Sequence, residues 1–87
     1  MPQKVKLRTI VLSTAINTRD GSLSLFVSLA ALSGVELIPP SAIEPPLDVS
    51  ACEFHMRDGK PYTLELRVSA QGNPLVEGDE ITLYFDQ

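Results

Sequence analysis

The chain has no tryptophan, one cysteine, one histidine, two tyrosines and three phenylalanines among its 87 residues. Its core must therefore be built from aliphatic side chains, and Cys52 has no second cysteine with which to close a disulfide. That excludes a small stapled secreted scaffold and makes a reducing cytoplasm the expected compartment. The longest uncharged run, Gly21 to Val35, is too short and too rich in serine to span a bilayer, so no membrane partner is expected. Lys4, Lys6 and Arg8 before Thr9–Ile16 imitate a signal peptide, but Asn17-Thr18-Arg19-Asp20 follows at once without a small-residue cleavage site. Concentrated basic charge is also lacking. Residues 1 to 35 carry four basic groups and one acidic, residues 36 to 87 three basic and ten acidic. A face able to neutralise a run of phosphates is missing, which argues against a nucleic-acid partner.

What is present is a globular composition, 44% hydrophobic and 21% charged, of a size that gives one domain with a core only just large enough. Most segments carry the period-two signature of strands. Val5 to Ile16 is rich in β-branched residues, but Val5 and Leu7 have one parity while Ile10 and Leu12 share the other with Lys6 and Arg8. Either a bulge near Arg8 to Ile10 or a strand covered on both sides follows. After the turn Thr18-Arg19-Asp20-Gly21-Ser22, the run Leu23 to Leu32 fits a helix through Leu25, Leu29 and Leu32, and a strand through Leu23, Leu25, Val27 and Leu29. The Asp-Gly turn between two apolar runs favours the strand. Two registers are open: a two-residue loop sets Leu12 opposite Leu29 and Ile16 opposite Leu25, and a three-residue loop sets Val11 opposite Leu29 and Ala15 opposite Leu25. Either leaves a second apolar face to be covered, with Val11, Phe26, Ala30 and Leu32 as its candidate interface residues.

Four prolines between Pro39 and Pro46 exclude a helix or central strand and predict a stiff crossover. Leu47 to Met56 is the next strand, with a parity switch that predicts a break near Ser50-Ala51. Its partner places Tyr62, Leu64, Leu66, Val68 and Ala70 inward and Thr63, Glu65, Arg67 and Ser69 outward. Matching the apolar faces predicts a three-residue turn, Arg57-Asp58-Gly59, that pairs Phe54 with Tyr62 and Cys52 with Leu64. Ile81, Leu83 and Phe85 alternate in a last strand. The expected fold is thus an all-β domain of five or six mostly antiparallel strands, a small open sandwich or half-sandwich. It comprises a hairpin over 5–33, a proline-rich connection over 39–46, a hairpin over 47–70 and a C-terminal strand over 81–86.

Chemistry-bearing residues are few. Cys52 and His55 lie three apart, so on a strand they point to opposite faces and form neither a nucleophilic pair nor the start of a zinc site. Glu53, His55 and Arg57 share the outer face of their strand, with Glu65 and Arg67 on the outer face of its partner. They read either as a polar recognition patch that includes the chain's one histidine or as a solvated sheet face with cross-strand ion pairs worth little each. Glu77, Asp79 and Glu80 match no calcium-loop spacing and read as an acidic turn. No catalytic residue, cofactor or metal is expected.

Asp20-Gly21-Ser22-Leu23-Ser24-Leu25, the prolines from Pro39 and the segment Pro61 to Val68 resemble, over roughly residues 10 to 72, a family of small uncharacterised bacterial β-sandwich proteins of unknown function. Members of that family continue with further strands beyond the region matching Val68. The resemblance therefore implies an incomplete sandwich that a second copy completes. The expected function is a non-catalytic protein-interaction or assembly module, a homodimer or a binder of another protein. A phage or mobile-element accessory protein is the alternative reading, and a small interface enzyme using His55 the third.

Overall fold

The computed structural model describes residues 4–29, 38–69, 71 and 75–86. Six strands form: β1 (Lys4–Asn17), β2 (Ser22–Ser28), β3 (Ala42–Glu44), β4 (Val49–Arg57), β5 (Lys60–Ser69) and β6 (Glu80–Asp86). All pairings are antiparallel, in one sheet of order β3-β6-β1-β2-β5-β4 that curls into an open half-barrel. No helix among the described residues is long and apolar enough to cross a membrane. The expected all-β architecture is what the chain adopts, and residues 22–28 are strand.

The inner face carries the core. Leu25, Val27, Leu29, Leu64, Leu66, Leu83 and Phe85 are completely buried, with Val5, Ile43, Leu47, Val49, Cys52 and Phe54 packed around them. Full burial of such a side chain stabilises a fold by about 1.5–3 kcal/mol, so this face supplies most of the driving force.

The curl originates in β1. Its first half pairs with β6, Lys4 opposite Asp86 through Ile10 opposite Glu80, and its second half pairs with β2. Leu12 is an extra residue between Val11, opposite Val27, and Ser13, opposite Phe26. The bulge therefore lies at Leu12, beyond the expected span, and bends the strand where it changes partners. Val11 marks the exchange: its N–H donates to the Asp79 carbonyl at 2.9 Å and its carbonyl accepts from Gly78 N–H at 2.8 Å.

The first hairpin has neither expected register. Its loop is four residues, Thr18 to Gly21, with Asn17 opposite Ser22, Ile16 opposite Leu23 and Thr14 opposite Leu25. Side chains impose the length. Asn17 Oδ1 accepts from Arg19 N–H, Asp20 Oδ1 accepts from both Ser22 N–H and Oγ–H, and Gly21 closes the loop with φ of 73°. These local bonds outweigh a tight two-residue turn.

The second hairpin also differs from expectation. Asp58 and Gly59 both have positive φ, 53° and 76°, forming a two-residue turn with Arg57 opposite Lys60. Tyr62 then bulges out of β5, so His55 faces Thr63 and Phe54 faces Leu64, where the expectation was Tyr62. A tight turn plus one bulged residue restores the match of apolar faces that a three-residue turn was expected to provide. Displaced by the bulge, Tyr62 is 45% exposed and not inward. The break anticipated near Ser50-Ala51 is present, with Ser50 extra and its hydroxyl donating to the Arg67 carbonyl. In the proline-rich segment, β3 forms a three-residue edge strand on β6, and the Glu44–Pro45 bond is cis.

Candidate functional site

The outer face of β2, β5 and β4 gathers the polar residues. On β4, Glu53 and His55 are two apart and point the same way; across the ladder, Glu53 stands directly opposite Glu65. His55 Nε2 lies 2.9 Å from Glu65 Oε1, while Ser24 Oγ–H donates to Glu65 Oε2 at 3.0 Å and Arg67 approaches that same oxygen at 3.6 Å. Each carboxylate oxygen of Glu65 thus has its own partner. Glu65 is the sheltered member, its side chain 14% exposed against 44% for His55.

Electrostatics follow from this geometry. The hydrogen bond from His55 is the main cause holding the Glu65 carboxyl below its ordinary range, helped by Ser24 and the charges of His55 and Arg67 against some desolvation. On the opposite face of β4, burial pushes the Cys52 thiol up, which favours an inert thiol.

The His55 ring also reaches Phe26, with ring centroids 6.1 Å apart. Phe26 is on β2 and His55 on β4, with β5 between them. Strands two apart are about 9.6 Å from each other, so the two rings lean together over β5. Thr63, which faces outward between Ser28 and His55, is buried. A shallow cavity of about 190 Å³ adjoins the cluster, lined by Ala51, Cys52, Glu53, Glu65 and Arg67.

Of the anticipated patch, Glu53, His55, Glu65 and Arg67 come together, whereas Arg57 stacks on Tyr62 at the hairpin tip, 5.1 Å from the ring centre. Of the anticipated interface, Val11 is fully buried in the core of its own chain and cannot contact a partner. Phe26 is half-buried and in contact with His55, and Ala30 and Leu32 lie outside the described residues. In the acidic turn, Asp79 accepts from Val76 N–H through its side chain.

A second surface was not anticipated. Beyond Ile10 and the clasp at Val11, the bulged Leu12 and residues 13–17, which pair with β2 on one side, have, among the described residues, no strand on the other. All six are exposed, including Leu12 at 38% and Ile16 at 66%. The signal for this edge was the length of the first strand, which outruns the seven residues of its partners.

In comparison with known proteins, no family model, curated protein or solved structure matches this chain.

Proposed function

We propose that the protein is a non-catalytic assembly module that joins a second copy of itself through the edge of β1 that no described strand covers. The observation that carries this reading is the edge segment Leu12-Ser13-Thr14-Ala15-Ile16-Asn17, which is exposed and contains neither charge nor proline. Monomeric proteins guard such edges, because a row of free N–H and C=O groups is a template for another chain. This fold guards its others more fully: β3 is three residues long and abuts Pro45 and Pro46, and β4 is broken within its length by the bulge at Ser50. The bulge of β1 at Leu12, by contrast, sits at the start of its edge and leaves Ser13 to Asn17 in regular register.

A second copy suits the edge because the segment is nearly symmetric about Thr14. Antiparallel pairing around a two-fold axis there places Thr14 opposite its own copy, Ser13 opposite Ala15 of the partner, and Ile16 at the end of the ladder beside the partner's bulged Leu12. Threonine pairs and aliphatic pairs are favourable cross-strand neighbours.

Light scattering coupled to size exclusion, from micromolar to millimolar chain, tests the reading. The expected result is a concentration-dependent dimer that Thr14→Lys weakens at least tenfold while the circular dichroism spectrum stays that of the wild type. A monomer at every concentration, or a dimer indifferent to both Thr14→Lys and Ile16→Lys, overturns it.

A further inference from the structure

We infer that Glu53, His55 and Glu65 form a binding site for a first-row divalent cation such as zinc. The site goes beyond the assembly role and stands independently of it. Three observations support it: the spacing of the donor atoms, the arrangement of charge, and the way Glu65 is held.

One donor atom from each of the three residues lies within 4.8 Å of the others. Two donors bound at about 2.1 Å to one ion are about 3.0 Å apart at a right angle and about 3.4 Å apart at the tetrahedral angle. The 2.9 Å between His55 Nε2 and Glu65 Oε1 is close to the right-angle separation, and a side-chain adjustment of about 0.5 Å reaches the tetrahedral one. Glu53, exposed and long, closes the remaining distance by changing rotamer. His55 uses Nε2 for the ion once its proton resides on Nδ1, a tautomer change that needs no further reactant.

Charge points the same way. Glu53 and Glu65 are directly opposite, an arrangement of like charges that ordinarily costs stability. Arg67 lies on the far oxygen of Glu65, and its side chain is 48% exposed. Among the described residues, Oε1 and the Glu53 carboxylate therefore face His55 with no lysine or arginine between them. A divalent ion there gives the two carboxylates a shared positive partner.

Glu65 is also prepared as a ligand. Ser24 on β2 holds Oε2, which turns Oε1 toward His55, and Phe26 backs the imidazole from the same strand. Partners that orient ligands in this way contribute substantially to metal affinity. The donor set, one imidazole and two carboxylates, suits zinc, cobalt, nickel or iron(II) and not calcium or magnesium, which take oxygen ligands alone. Three protein ligands leave coordination positions open to water.

The test is zinc titration of the untagged chain, followed by calorimetry and by the proton resonances of His55, the only imidazole in the sequence. The expected result is one saturable site per chain that moves the His55 ring signals and ignores millimolar magnesium. Glu53→Gln, an exposed change that leaves the fold intact, lowers affinity at least tenfold. His55→Ala removes the site, and Ser24→Ala weakens it by roughly tenfold. The proposal is overturned by unmoved His55 signals at millimolar zinc, by equal affinity in wild type, Glu53→Gln and His55→Ala, or by zinc that persists in His55→Ala and is lost in Cys52→Ser.

Discussion

Glu53 and Glu65 face each other across β4 and β5 as two carboxylates in one cross-strand pair. A sheet optimised only for stability would place a cation opposite one of them. Glu53→Lys is therefore expected to raise stability by about 0.5 kcal/mol, read as a rise in Tm of about 2–4 °C in metal-free buffer. The same substitution should abolish zinc binding, so that stability and ion affinity move in opposite directions. A fall in Tm on Glu53→Lys would show that the pair is not strained.

Protonation of Glu65 gives a second expectation. Its carboxyl is held below the ordinary value of 4.5, first by the hydrogen bond from His55, and these interactions outweigh the desolvation that opposes them. A carboxyl with a depressed folded-state pKa stabilises the fold above its unfolded value, and that contribution is lost as pH falls through the folded one. Wild type should therefore be more stable than Glu65→Gln above about pH 4.5, with the difference shrinking at lower pH. Thermal unfolding of both proteins from pH 7 downward measures this. A difference that stays constant across the acid range would remove the carboxylate as its source.

At the β4–β5 turn, Gly59 has φ of 76° and an added Cβ would meet no atom within 4 Å. Gly59→Ala should then cost only the backbone penalty of the left-handed region, about 1 kcal/mol, with no steric addition. Denaturant midpoints compare it with the wild type. A loss several times larger would mean that the turn also depends on contacts absent from this geometry.

In the core, Leu66 is completely buried and sits between Leu25 on β2 and Cys52 on β4. Leu66→Ala should destabilise the fold by about 3 kcal/mol. Small domains have a total stability of only about 5–15 kcal/mol, so the variant should unfold at a much lower denaturant concentration. A shift equivalent to less than about 1 kcal/mol would be inconsistent with a packed half-barrel.

The strands and the core were legible from residue parity. Leu64, Leu66 and Val68 in β5, and Ile81, Leu83 and Phe85 in β6, are all buried, as their alternation predicts. The bulge at Ser50 was legible for the same reason, since an extra residue must reverse the parity of everything after it. Register was not. A three-residue turn and a two-residue turn followed by a bulged Tyr62 bring the same faces together, and parity cannot distinguish them.

That ambiguity hid the cation site. Under the expected register Glu53 is opposite Thr63 and Glu65 is opposite Ala51; under the observed one Glu53 is opposite Glu65. Glu53, His55 and Glu65 were recognisable from their parity as members of one outer patch, but the direct opposition of Glu53 and Glu65 and the contact with Ser24 depend on ladders that spacing does not determine. The edge of β1 that no described strand covers was obscured differently. Its exposure depends on where β6 stops pairing and on the clasp of Val11 by Gly78 and Asp79, a contact between distant parts of the chain.

The division of β1 between two partners also orders how the chain can fold during its synthesis. Residues 11–17 find β2 within a few residues, whereas Lys4 to Ile10 must wait for Glu80 to Asp86. Local hairpins can form as soon as they leave the ribosome, but closure of the curl is among the last events because its pairing is the most remote in sequence. Until then the first half of β1 has a second open edge, and a nascent chain is more adhesive than the finished protein.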